Sequence, residues 1–161
     1  MNPIQEFLLR ILGSRASYAL DKLAVRFFGG SFAESLYDKM AGVSPLVPCL
    51  LLITRGHVSG RERSVVLPYY VTEGKMFVIG SWGGAPRDPA WATNLRRTPQ
   101  AKAYIDRRAK RVRARVAIGG EREVLWSSAI AWKPVYAQYQ RKTTREIPLF
   151  VLEADVGQPA P

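Results

Sequence analysis

An α+β domain built on an antiparallel sheet that closes into a small barrel is the architecture the sequence predicts. Six short runs have strand character, helical periodicity is confined to the start, one crossover and a stretch near the end, and no βαβ alternation occurs. Closure removes the sheet edges, which a chain with a formal net charge of +11 would otherwise guard only by charge. At 161 residues the chain is one domain without internal repeats, able to bury roughly two thirds of its unfolded surface.

Residues 4–28 place Ile4, Phe7, Leu8, Ile11 and Leu12 at helical spacing, and Leu20, Leu23, Ala24 and Phe27 continue the pattern after Gly13-Ser14. That periodicity predicts one broken helix or two. Such an element packs on the domain, or, with Arg10, Arg15, Lys22 and Arg26 beside Phe27 and Phe28, lies on the inner face of a membrane. We take residues 1–45 as an N-terminal helical segment, 46–153 as the barrel and 154–161 as a flexible tail.

After the connection from Gly42 to Pro48, Cys49–Thr54 predicts a buried strand, Ser64–Thr72 a second and Lys75–Gly80 a third, with Glu73-Gly74 as a tight hairpin turn. A helix then intervenes. Asp88 is the expected cap, Pro89 the first helical residue, and the helix stops near Arg97 before Pro99. Ala101–Ile105 and Lys110–Ile118 form a further hairpin around 106–109. In its second strand Val112, Ala114, Val116 and Ile118 share one face while Arg111, Arg113 and Arg115 share the other. Helical stretches over Glu121–Ala131 and Pro134–Lys142 and a closing strand over Ile147–Glu153 complete the reading.

Composition narrows the chemistry. Hydrophobic residues at 47% and charged residues at 23% exclude a disordered chain. The single cysteine, Cys49, lies in an apolar run and reads as a buried thiol, which fits a reducing cytoplasm; with one histidine, His57, there is no zinc-binding cluster. The run from Leu46 to Ile53 falls far short of the roughly 20 apolar residues that span a bilayer, and charges interrupt the N-terminus where a secretory signal would need apolar sequence. No Ser/His/Asp set, His-Glu-x-x-His motif or paired-carboxylate motif supports hydrolysis, so a cofactor carries the hard chemistry.

Three segments carry candidate sites. Between the first two strands, Gly56 and Ser59-Gly60 aim amides into a concavity while Arg61 and Arg63 add forked donors, a combination suited to phosphate; a solvated turn is the bland alternative. In Ser81-Trp82-Gly83-Gly84 the paired glycines let backbone approach a flat ligand, with Trp82 at the rim. Trp91, by contrast, reads as core. On the late helix Tyr136 and Tyr139 stand three apart, and Tyr69 or Tyr70 points inward from the second strand. The run Arg96, Arg97, Lys102, Arg107, Arg108, Lys110, Arg111, Arg113 and Arg115 is a solvated sheet face or a funnel for an anion. Nucleic acid competes for it, although Tyr104 is the run's single aromatic and no specific nucleic-acid binding is expected.

In order and spacing, Thr54–Arg63, Ser81–Leu95 and Tyr136–Gln140 with Thr144–Glu153 resemble the deazaflavin (coenzyme F420)-dependent nitroreductase and quinone reductase family of actinobacteria, from about Pro48 to Glu153. The resemblance implies a split antiparallel β-barrel and hydride transfer from reduced F420, with FMN as the alternative cofactor. The acceptor would be a small electron-poor molecule: a quinone, activated alkene or nitroaromatic. It implies phosphate binding by the turn His57, Val58, Ser59, Gly60, Arg61 and Arg63; family members usually have Gly-Arg-Lys-Ser-Gly followed by arginine, so His57 and Val58 stand where a basic pair is usual. It implies ring contacts from Ser81, Trp82, Gly83, Gly84 and Asn94. Tyr136 and Tyr139 would border the acceptor as catalytic residues, with Lys133 where a third tyrosine is frequent. No metal is implied, and the assembly is a monomer or a homodimer. A non-catalytic barrel that binds flavin, heme or a fatty acyl ligand, and a basic binder of nucleic acid or anionic lipid, are the competing functions.

Overall fold

A computed structural model describes residues 15–40 and 47–155. Ile4 to Leu12 of the N-terminal helical reading, most of the 42–48 connection and most of the tail fall outside the described residues. The elements are α1 (Arg15–Phe28), α2 (Phe32–Met40), β1 (Cys49–Arg55), β2 (Glu62–Thr72), β3 (Lys75–Ile79), α3 (Ala90–Arg97), β4 (Gln100–Ile105), β5 (Arg108–Val116), α4 (Gly119–Trp132), α5 (Val135–Arg141) and β6 (Leu149–Ala154). A one-turn 3-10 segment, Trp82–Gly84, precedes α3. The strands form a closed barrel in the order β1-β2-β3-β6-β5-β4, and every neighbouring pair is antiparallel. The expected α+β fold is therefore the observed one.

Turn chemistry sets the strand pairing. Glu73 and Gly74 both take positive φ, as a two-residue turn matched to strand twist requires. Asp106 and Arg107 do the same, so β5 begins at Arg108, two residues earlier than the sequence predicts. It also ends earlier, at Val116. Ile118 lies beyond the strand and is exposed rather than sharing the inner face with Val112 and Ala114. In its place Ala117 is buried, its amide bonded to the Leu149 carbonyl.

Several strands are apolar on both faces because both faces are covered. Leu50 and Leu52 of β1 and Phe150 and Leu152 of β6 fill the barrel together with Tyr69, Val78 and Ile105, and α3 plugs one end with Trp91 and Leu95. The alternate residues of β6, Leu149 and Val151, face outward against Leu125 and Ala129 of α4 and Tyr136 of α5. Cys49 and Leu51 face outward under Val25 of α1, where burial pushes the Cys49 thiol up, as an inert core thiol requires. Tyr69 and Tyr70 obey alternation, yet both are buried because the outer face of β2 is covered too.

The sequence reading places α2 inside its N-terminal helical segment, 1–45, but names no separate helix there. Its start signal is nonetheless local: Ser31 and Glu34 have capping-box spacing, and Ser31 Oγ accepts the Glu34 amide at 3.0 Å. Asp21 of α1 adds a long-range cap, accepting the Phe32 amide and the Ser31 hydroxyl, each at 2.8 Å. The far end is fastened by Lys133, whose Nζ lies 2.6 Å from Asp38 Oδ1 and 3.0 Å from Glu34 Oε2. Burial by itself would lower the Lys133 pKa, but the Asp38 hydrogen bond and the Glu34 charge reverse that and leave it raised. Replacing Lys133 by alanine would strand Asp38, which is 0% exposed, without its counter-ion. Urea denaturation of Lys133→Ala is expected to show a loss of about 3–5 kcal/mol, whereas Lys39→Ala, on the exposed side of α2, stays within about 0.5 kcal/mol.

Candidate functional site

The β1–β2 turn is shaped by two internal hydrogen bonds, Gly56 N–H to the Arg61 carbonyl at 2.8 Å and Gly60 N–H to the Gly56 carbonyl at 2.7 Å. Gly60 has φ +65, and a Cβ at Gly56 would sit 2.9 Å from Ser59 Oγ, so both positions call for glycine. With the amides of Gly56, His57, Gly60 and Arg61 engaged inside the protein, the tip carries Val58 and Ser59, both exposed.

Asn94 of α3 holds this turn from below. Its side chain is 3% exposed; Oδ1 accepts the His57 amide at 3.0 Å and meets His57 Nδ1 at 2.8 Å, while Nδ2 donates to Thr54 Oγ1 at 3.0 Å. The sequence pairs Asn94 with a ligand ring, but in the fold both of its polar atoms are engaged by β1 and the turn.

The Ser81–Gly84 turn is organised by a residue to which the sequence reading gives no role. Arg145 donates to the carbonyls of Gly80, Ser81 and Ala85 at 3.0, 2.9 and 2.9 Å and to Asp88 Oδ1 at 2.7 Å. Asp88 also accepts from Arg96 at 3.2 Å. Its carboxylate is therefore not the helix cap that the sequence predicts: Pro89 occupies the cap position, α3 starts at Ala90, and no side chain caps it. Two guanidinium groups outcompete a backbone amide for one carboxylate. Gly84, at φ +82, approaches α5 so closely that a Cβ would lie 2.5 Å from the Tyr139 carbonyl. Gly83, at φ +64, meets nothing there, which leaves its backbone open to one side.

The two turns border adjoining hollows, which together are called the trough. A hollow of about 470 Å³ is lined by His57, Val58, Ser59, Arg63 and Asn94, a second of about 550 Å³ by Ser81, Trp82, Gly83, Tyr136 and Tyr139, and the two share Val65, Ala90 and Trp91 as walls. Trp91 is core, as expected, packed edge-on against Phe150 at 5.4 Å, and its remaining surface floors the trough. Trp82 is exposed at the rim.

At the second hollow, Tyr70 donates its hydroxyl hydrogen to Tyr136 Oη at 3.1 Å, and Tyr139 packs edge-on against Tyr136 at 6.1 Å. Burial raises the Tyr136 pKa, the Tyr70 hydrogen bond and the Lys133 charge oppose it, and the balance is pushed up to about 12. Glu34 and Lys133 close this end. A separate groove of about 790 Å³ touches the first turn through Gly60 and gathers Arg55, Lys102, Lys110 and Arg111 against Glu62 and Asp155. Only part of the cationic run enters it. Tyr104 lies instead under the Arg26 guanidinium, 4.9 Å from ring centroid to carbon.

The family described as F420H(2)-dependent quinone reductase has a model that matches residues 32–154. The chain belongs to that family. A protein of Mycobacterium tuberculosis (strain ATCC 25618 / H37Rv), provisionally named an F420H(2)-dependent quinone reductase, is 32% identical over 112 residues, 70% of this chain and 94% of its own length. Another of the same strain, named F420H(2)-dependent quinone reductase, is 30% identical over 112 residues, 65% of this chain and 72% of its own. Among solved structures, one titled as an F420-H2 dependent reductase is 36% identical with a TM-score of 0.59, covering 65% of this chain and 93% of that one. A second, titled as a domain-swapped dimer, is 35% identical with a TM-score of 0.60, covering 74% and 92%. These two solved structures share the fold that builds the trough.

Because Arg145 satisfies three carbonyls and one carboxylate at once, Arg145→Met is expected to cost about 2–3 kcal/mol in denaturant unfolding. Amide hydrogen exchange at Gly84 and Ala85 should quicken in the same variant. Unchanged exchange there would show that the turn holds its shape without the guanidinium.

Proposed function

We propose that this chain is a reductase that uses reduced F420 to reduce a small electron-poor acceptor, a quinone first and activated alkenes or nitroaromatics by the same chemistry. The observation that carries the reading is the pair of adjoining hollows, with an anion-suited turn at one end and buried phenols at the other. Its donor set fits such a cofactor: amides at an exposed glycine-bounded tip beside Arg61 and Arg63 for phosphate, and an open Gly83 backbone beside Ser81 for the edge of a planar ring.

When bound, the reduced deazaflavin supplies a hydride from its C5 position. The protein's own residues bind, orient and exclude water. Ser59, Arg61 and Arg63, with the Val58 tip, hold the phosphate. Ser81, Trp82 and Gly83 border the ring, while Gly84 is buried against α5, and the groove of Arg55, Lys102, Lys110 and Arg111 draws in the rest of a polyanionic ligand. Tyr136 and Tyr139 bound the acceptor. Since Tyr136 Oη accepts from Tyr70, its own hydrogen is directed elsewhere and can meet a carbonyl or nitro oxygen of the acceptor. With its pKa at about 12 the phenol keeps that hydrogen across the physiological range, acting as a hydrogen-bond donor to developing negative charge.

The test is saturable quenching of F420 fluorescence by the apo protein, followed by menadione-dependent oxidation of F420H2. Quenching by FMN alone, or salt-sensitive binding of duplex DNA without uptake of either chromophore, would replace this reading with one of the competing functions. Tyr136→Phe is expected to lower kcat by about tenfold to a hundredfold with little change in F420 affinity. Because the folded Tyr136 pKa is raised above the ordinary phenol value of 10.0, its contribution to stability is complete below pH 10 and is lost as pH rises through about 12.

Membrane contact belongs to the same proposal. Leu20, Phe27, Phe28 and Phe32 are 59–80% exposed on α1 and the start of α2, beside Lys22 and Arg26, and no helix among the described residues is long and apolar enough to cross a membrane. Such a face suits an anionic lipid surface that holds a lipid-soluble quinone. Co-sedimentation with vesicles containing phosphatidylglycerol should drop severalfold in Phe27→Ser/Phe28→Ser, and equal sedimentation of the two proteins would remove this contact.

A further inference from the structure

A backbone N–H can only donate, so the Asn94 atom that meets the His57 amide at 3.0 Å is the carbonyl oxygen. The remaining amide nitrogen donates to Thr54 Oγ1 at 3.0 Å, and that hydroxyl is left to donate to the Arg63 carbonyl at 3.4 Å. His57 Nδ1 lies 2.8 Å from the same Asn94 oxygen, which has no hydrogen to give. The hydrogen of that bond therefore belongs to Nδ1. A neutral His57 ring accordingly carries a bare lone pair on Nε2, and the ring lies exposed on the wall of the hollow that Arg63 and Ser59 line.

We propose that His57 Nε2 is an anion-binding donor of this turn that becomes competent by taking up a second proton as the anion arrives, and that Asn94 is the residue that positions it. The anion's identity as the F420 phosphate rests on the function proposed above; the ring geometry does not. The proton comes from solvent and becomes the Nε2–H of an imidazolium that donates to a phosphate oxygen; no other bond forms or breaks. A histidine is the side chain whose ordinary range places this change between pH 5 and 8.

The surroundings suit that role. Arg63 of β2 shares the hollow with the ring, and Arg55, Arg61 and Glu62 are the charged residues flanking the turn on β1, the turn itself and β2. From α3 the wall receives Ala90, Trp91 and Asn94, none of them charged. An incoming phosphate thus supplies the counter-charge that a second ring proton needs.

His57 is the chain's single histidine, so the ring nitrogens of protein labelled with 15N-histidine report on it alone. At pH 8 the apo protein should show a protonated Nδ1 and a pyridine-type Nε2, and Asn94→Ala should return the ring to the Nε2–H form. A wild-type ring already in the Nε2–H form overturns the proposal. On addition of F420, or of inorganic sulfate as an anion that does not titrate in this range, Nε2 should move to the imidazolium position. Calorimetry in buffers of different ionisation enthalpy should give uptake of up to one proton. F420 affinity should rise by up to about tenfold per pH unit on lowering pH from 8 to 6, a dependence absent from His57→Gln. Equal pH dependence in both proteins, or no movement of Nε2 with either anion, overturns the donor role. Movement with sulfate but no binding of F420 would sustain the donor and remove the F420 reading instead.

Discussion

The Arg145 guanidinium, 15% exposed and bonded to Gly80, Ser81, Ala85 and Asp88, is the interaction on which the trough depends. Three carbonyls converge on one planar cation because the chain leaving β3 must turn sharply before α3, and the turn's own amides, those of Gly84 and Ala85, reach the Ser81 and Trp82 carbonyls. Arg145 stands 57 positions from Asp88 in sequence and supplies from the far end of the domain what the turn lacks locally. The same guanidinium ties the Ser81–Gly84 backbone to the segment that follows α5, beside the hollow that Tyr136 and Tyr139 border. It is rigid and forked, and a lysine could replace its charge but not its geometry.

The barrel sets up that arrangement by having two cores. Residues of β1 and β6 alternate between an inner cluster around Phe150 and outer clusters under α1 and under α4 with α5, so the sheet is stabilised on both faces. Trp91 and Leu95 belong to the inner cluster, which fixes α3 at the mouth of the barrel and brings Asn94 beneath the β1–β2 turn. Packing thus determines where the polar residues meet. The trough lies where the inner core reaches the surface, and its floor is the exposed remainder of a core tryptophan.

At the other end of the trough, Lys133 has been absorbed into the fold. Lys133 binds α2 through Glu34 and Asp38 and places positive charge near Tyr136 without exposing it. Its ion pairs join a helix outside the barrel to the wall of the acceptor hollow. Lys133 is enclosed by carboxylates, whereas His57 is braced on one ring nitrogen and open on the other.

Apolar runs, period-two alternation and tight-turn residues were enough to place all six strands, because those signals are local: Glu73-Gly74 and Asp106-Arg107 take the positive φ that a tight turn needs. The glycine-bounded turn at 56–60 was legible for the same reason. The capping-box spacing of Ser31 and Glu34 was present too, but short helices are decided by what they dock against, and α2 docks on Asp21 and Lys133. Tertiary structure alone decided the partners of Asp88, Asn94 and Arg145. Each has several hydrogen-bonding options of similar strength, and which one wins depends on groups 37 to 65 residues away that only the closed barrel brings within reach.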